Sequence, residues 1–251
     1  MEAVVSALRI AVGTTILAFA SLIAGVILVI LLPSRGARIR FCNQWGHVMG
    51  PIFLAIAGCP LTVRGREHLD PRRKAIYVTN HTSIADMFVT VALAPLDTVG
   101  VVRRGIEKYP FFGQVYLLSG HLILDRDDRS KAVAEMKALA SDQKKYDLSI
   151  WIWPEGTRSA SGRLLPFKKG PVHLALQTGL PIVPVVVTGA HKVWPKGTTT
   201  VHSVPIGVEV LPAIDTSTWT IDEVDSRTQE IHDLFVTRLP PEQQPAAPSV
   251  G

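Results

Sequence analysis

Cysteine is nearly missing from this chain. Cys42 and Cys59 are the only two, both inside an apolar stretch, which gives no disulfide framework and no thiolate zinc site. Also missing are the G-x-S-x-G nucleophile elbow, the G-x-x-x-x-G-K-[ST] phosphate loop, the G-x-G-x-x-G dinucleotide turn and the H-E-x-x-H metal helix. Charge is sparse, at 19% against a hydrophobic share of 47%, and residues 10–32 carry none at all. The charge that is present leans positive, with a formal net of +5 and a pI near 9.4, which favours anionic partners. No nucleic-acid module accompanies it, so anionic lipid is the expected partner and nucleic acid is not.

The uncharged run is long enough to cross about 30 Å of hydrocarbon as a helix. No small-residue cleavage pattern closes it, and Arg35, Arg38 and Arg40 follow, so an anchor helix over 10–32 is expected, either spanning the bilayer or dipping into it. The positive-inside rule places the following chain in the cytoplasm, at the cell membrane and in a reducing compartment. Next, Phe41, Trp45, Val48, Met49, Ile52, Phe53 and Ile56 recur at helical spacing opposite Asn43, Gln44 and His47. That predicts an amphipathic helix over 38–58, kinked at Pro51, whose apolar face is covered either by the bilayer interface or by the globular body. Residues 1–60 thus read as a membrane-associated two-helix segment, 61–239 as one catalytic domain and the proline-rich 240–251 as a disordered tail. Within the domain, strands are expected at 75–79, 98–102, 122–125, 148–153, 182–187 and 206–211. Helices are expected at 130–144, 171–178 and 221–239, the last opening on a Thr220 and Glu223 capping box. The fold class is α/β: a largely buried mixed sheet flanked by helices.

Chemistry concentrates at strand ends. The strand at 75–79 runs into His81, followed five residues later by Asp86 in the first turns of the next helix, with Thr82 or Ser83 as its N-cap. A histidine there can act as a general base, and the aspartate can orient it. The pattern is short, so its weight depends on what surrounds it. After the strand at 148–153 come Glu155, Gly156, Thr157 and Arg158, and then Lys168 just before the Gly170-Pro171 helix start. Glycine lets backbone approach an anion, Arg158 offers a fork to phosphate oxygens, and Glu155 either braces Arg158, binds substrate hydroxyls or caps its own loop. Arg104 and Arg126 also sit at strand ends, where neighbouring strands of an α/β sheet share a crevice. Tyr109, Phe111 and Phe112 suit an acyl channel or the core equally. His121, at a strand start, reads as structural.

In order and spacing these blocks resemble the glycerophospholipid acyltransferase family, and within it the 1-acylglycerol-3-phosphate O-acyltransferases. His81 and Asp86 match its H-x-x-x-x-D block. Gly120 to Arg126 match the G-x-x-x-x-D-R block, Pro154 to Ser159 match P-E-G-T-R-S, and Ile182 to Val185 match the apolar fourth block. The chain departs where many members carry Lys or Arg, any residue, Glu, Leu: here Arg104 is followed by Gly105, Ile106 and Glu107. The resemblance implies direct acyl transfer from acyl-CoA, or from acyl carrier protein, to the sn-2 hydroxyl of lysophosphatidate at a lipid bilayer, giving phosphatidate with no cofactor. His81 and Asp86 would be catalytic, and Arg104, Arg126, Glu155, Gly156, Thr157, Arg158 and Lys168 would hold the acceptor. The blocks leave open glycerol 3-phosphate or another lysolipid as acceptor. The basic clusters alone would also suit a non-catalytic, membrane-tethered binder of anionic lipid.

Overall fold

Four consecutive buried residues, Ile76–Thr79, form β2, the axis of the fold. A strand covered on both faces needs apolar or fully bonded residues at every position, the pattern of a parallel sheet packed between helices. The computed structural model describes residues 2–125 and 129–246. In chain order these form α1 (Glu2–Ile30), α2 (Arg35–Ala57), β1 (Leu61–Arg64), β2, α3 (Ala85–Leu93), β3 (Thr98–Arg103), α4 (Phe112–Leu118) and β4 (Leu122–Leu124). There follow α5 (Arg129–Tyr146), β5 (Ser149–Ile152), α6 (Gly170–Thr178), β6 (Ile182–Thr188), α7 (Ala190–Val193), β7 (Ile206–Val210) and α8 (Val224–Arg238).

The described strands make one seven-stranded sheet in the order β1-β7-β6-β2-β5-β3-β4. Only the β6–β7 pair is antiparallel, so the sheet is mixed, as expected. Alternation along β2 divides the core between the two faces. Ile76 and Val78 join Leu139, Leu174 and Phe235 from α5, α6 and α8. Tyr77 stacks on Trp151 at 5.3 Å and joins Val89 and Leu54 from α3 and α2. The capping box forms as expected, Thr220 N–H donating to Glu223 at 2.8 Å, although it heads a 3-10 turn that leads into α8.

The structure departs from the sequence reading in three places and decides a fourth point, which face of α2 meets the body. α1 starts at Glu2 rather than residue 10. β1, α4 and α7 carry no clear periodic pattern and are additional elements. The face of α2 that packs on the body consists of Ile39, Asn43, Gly46, Gly50 and Leu54. Asn43, on the polar side opposite the apolar residues, is 6% exposed because its amide satisfies both Thr98 backbone groups, at 2.9 and 3.0 Å. Residues 240–246, expected to be disordered, are packed against the domain. Gln243 is buried there, and the Leu164 N–H donates to its carbonyl at 2.8 Å.

Candidate active site

At the end of β2, Asn80 clamps the strand to β6. Its Nδ2 donates to the Val187 carbonyl at 2.9 Å, and its Oδ1 accepts from the Val187 N–H at 2.8 Å. The next residue, His81, therefore leaves the sheet from a fixed point. Asp86, in the first turn of α3 and 1% exposed, presents Oδ2 to three donors: His81 Nδ1 at 3.0 Å, Thr82 N–H at 2.6 Å and Ser83 N–H at 2.8 Å. The N-cap position is held by Ile84 rather than Thr82 or Ser83, whose N–H groups turn inward to the carboxylate. An ionised carboxylate only accepts, so Nδ1 carries the proton and Nε2 is left as an acceptor. The imidazole lies over Trp153, ring centroids 5.0 Å apart.

Glu155 lies three residues beyond the last residue of β5 and is 3% exposed. Its Oε1 accepts the His81 N–H at 2.6 Å and its Oε2 accepts the Leu165 N–H at 3.0 Å. Burial pushes its carboxyl up to about 8, against the opposing pull of those two N–H groups, and the nearby Asp86 charge adds to the rise. Both oxygens are thus spent on backbone, so Glu155 braces the His81 loop rather than contacting substrate hydroxyls. The His81 carbonyl accepts from the Ser159 N–H at 2.9 Å, tying the same loop down from its other side.

A cavity of about 860 Å³ opens over His81. Ile10 and Leu17 of α1, Phe88 of α3, and Tyr109 and Phe111 give it apolar walls, while Arg9, Arg103, Arg104, Arg158 and Lys196 supply cations. Gly156, with φ of +76°, and Thr157 also line it. Arg104 reaches it while paired with Asp125 at 3.1 Å and, more loosely, with Glu135 at 3.8 Å. Arg158 is held through its carbonyl, which accepts from Lys196 Nζ at 3.0 Å. Lys168 is exposed and lies outside the cavity lining; its N–H donates to the Pro154 carbonyl at 2.8 Å, a loop contact, so it does not converge on the site. Arg126 lies outside the described residues. Glu107, at the departure from the family pattern, caps its own turn by accepting the Gly105 N–H at 2.7 Å. His121 is structural: it accepts the Gly100 N–H at 3.2 Å, and burial pushes its imidazole down to about 4. Sequence reasoning missed Arg9, Trp153 and Lys196 as cavity residues. Arg9 had a weak signal, as the last charge before the apolar run, and Lys196 had none.

The acyltransferase family model matches residues 60–188. A 1-acyl-sn-glycerol-3-phosphate acyltransferase of Limnanthes alba is 46% identical, across 88% of this chain and 78% of its own. One from Escherichia coli K12 is 37% identical, across 72% of each chain. Among solved structures, the 1-acyl-sn-glycerophosphate acyltransferase PlsC of Thermotoga maritima superposes with a TM-score of 0.75. That match covers 93% of this chain and 95% of the other at 20% identity, a likeness of fold.

Proposed function

This chain belongs to the acyltransferase family and is an O-acyltransferase, and on that premise we propose that it acylates the sn-2 hydroxyl of 1-acyl-sn-glycerol 3-phosphate, with acyl-CoA as donor. The observation that carries the chemistry is His81, held through Nδ1 by buried Asp86 at 3.0 Å and set in the lining of a cavity with apolar walls and five cations. His81 Nε2 takes the proton of the acceptor hydroxyl as its oxygen attacks the thioester carbonyl carbon. The tetrahedral intermediate collapses with cleavage of the C–S bond, and the thiolate leaves and takes the proton back from the imidazolium. A thiolate leaves far more readily than an alkoxide, so one base serves both steps. Asp86 keeps the imidazole in the competent tautomer and stabilises its charged form. Arg158, with Arg104 released from Asp125, receives the acceptor phosphate, and Gly156 and Thr157 line its approach.

The membrane supplies the acceptor in this reading. Phe19, Leu22 and Val26 of α1 are each more than half exposed, and Val48 of α2 is 57% exposed, an outward apolar surface beside the cavity that suits the bilayer. The catalytic face would then lie on the cytoplasmic side. The test is thiol release from acyl-CoA by purified protein, with and without lysophosphatidate, in wild type and His81→Ala. The expected result is release that requires both lysophosphatidate and His81, with about 10² to 10⁴ lost in the variant. Near-normal turnover by folded His81→Ala removes His81 as the base, and release that prefers glycerol 3-phosphate reassigns the acceptor.

A further inference from the structure

The packed segment 240–246 has no part in the reaction as described, yet it touches both loops that flank the catalytic turn. Gln243 is 1% exposed. Its carbonyl accepts the Leu164 N–H at 2.8 Å, and its side-chain Oε1 accepts the Gly189 N–H at 3.0 Å. From Leu164 the chain passes directly to Leu165, which donates to Glu155, and Glu155 holds the His81 N–H. From Gly189 it passes through α7 to Trp194, whose carbonyl accepts from Ser83 Oγ at 3.1 Å. Ser83 donates to Asp86, which holds the His81 ring. The bonds therefore close a ring around residues 81–86, and Gln243 is the link between its two arms.

Neighbouring contacts fasten the same strap. Arg163 Nη1 donates to the Gln244 carbonyl at 2.9 Å and to the Pro241 carbonyl at 3.3 Å, and Lys192 pairs with Glu242 at 3.5 Å. Gln244 Nε2 anchors the segment to the end of α8 through the Val236 and Leu239 carbonyls, at 3.0 and 2.9 Å. Each loop thus has a surface cation on the strap and a buried bond to Gln243. We infer that Gln243 is a positioning residue for acyl transfer, setting the separation of the Glu155 and Trp194 supports and so the aim of His81 into the cavity. The inference rests on His81 being the base.

The experiment compares Gln243→Met, which keeps the shape and loses the acceptor oxygen, with Gln243→Glu, which keeps an acceptor for the Gly189 N–H. Both are assayed beside His81→Ala, with the melting temperature recorded for each. Gln243→Met is expected to lower kcat about 10-fold or more while KM for acceptor and donor stays within about two-fold, since misplacement of a reacting group costs rate rather than binding. Gln243→Glu is expected to recover most of it. An unchanged kcat in folded Gln243→Met, or a loss that only tracks the folded fraction, overturns the inference. If Gln243→Met does not fold, the surface double variant Arg163→Ala with Lys192→Ala decides: a fall in kcat at constant KM supports the strap, and unchanged kcat overturns it. A fully active His81→Ala would instead sink the assignment of the base, which separates the two failures.

Discussion

Asp86 and Glu155 are both buried carboxylates within reach of His81, and their surroundings assign them different work. Asp86 spends one oxygen on the His81 ring as well as on two N–H groups, whereas Glu155 meets only backbone. The consequence for Glu155 is a pH-dependent stability. Its carboxyl titrates near 4.5 in the unfolded chain and at about 8 in the folded one, so between those values the folded state keeps a proton that the unfolded state has released. Stability is expected to fall as pH rises from about 4.5 to about 8 and to level beyond it. Glu155→Gln should flatten that fall in a series of denaturant midpoints against pH, and an unaltered slope would assign it to other groups. Arg158→Ala is expected to raise the acceptor KM about ten-fold or more, the loss of a charge-assisted contact to phosphate. Kinetics with varied acceptor read this directly, and an unchanged KM would take Arg158 out of the phosphate site.

Between elements, the contact that decides the architecture is α2 on α3. A Cβ on Gly50 would stand 2.7 Å from the Phe88 carbonyl oxygen, and one on Gly46 would stand 2.8 Å from Val91 Cβ. The two helices touch backbone to backbone there, which only glycine permits. Gly50→Leu must push α2 off α3, and its expected cost is about 1–3 kcal/mol of stability, as for other overpacked contacts. Thermal unfolding in detergent measures it; a wild-type melting temperature would mean the contact is loose. Activity should fall with it, because α3 carries Asp86 and lines the cavity. The same contact decides between the two covers that the sequence left open for the apolar face of α2: glycines and a bonded asparagine make the close approach to the body, and Val48 and Ile52 face outward.

For the whole molecule, α1 and α2 present apolar side chains outward, and other residues of the same two helices line the cavity. Phe19→Asp with Leu22→Asp and Val26→Asp is expected to shift the protein from the floated to the bottom fraction in vesicle flotation while leaving the catalytic domain folded; unchanged flotation would place the membrane contact elsewhere. Much of this was legible in the chain itself. The apolar run, the six strands and the His81 to Asp86 spacing all rest on local periodicity or on contacts within one turn, so residue order alone determines them. The role of Glu155, the inward face of Asn43 and the anchoring of Gln243 were not legible. Their partners lie 74, 55 and 54 residues away for His81, Thr98 and Gly189. A polar side chain reads as exposed until folding brings it a backbone group to satisfy, and tertiary structure alone supplies that group.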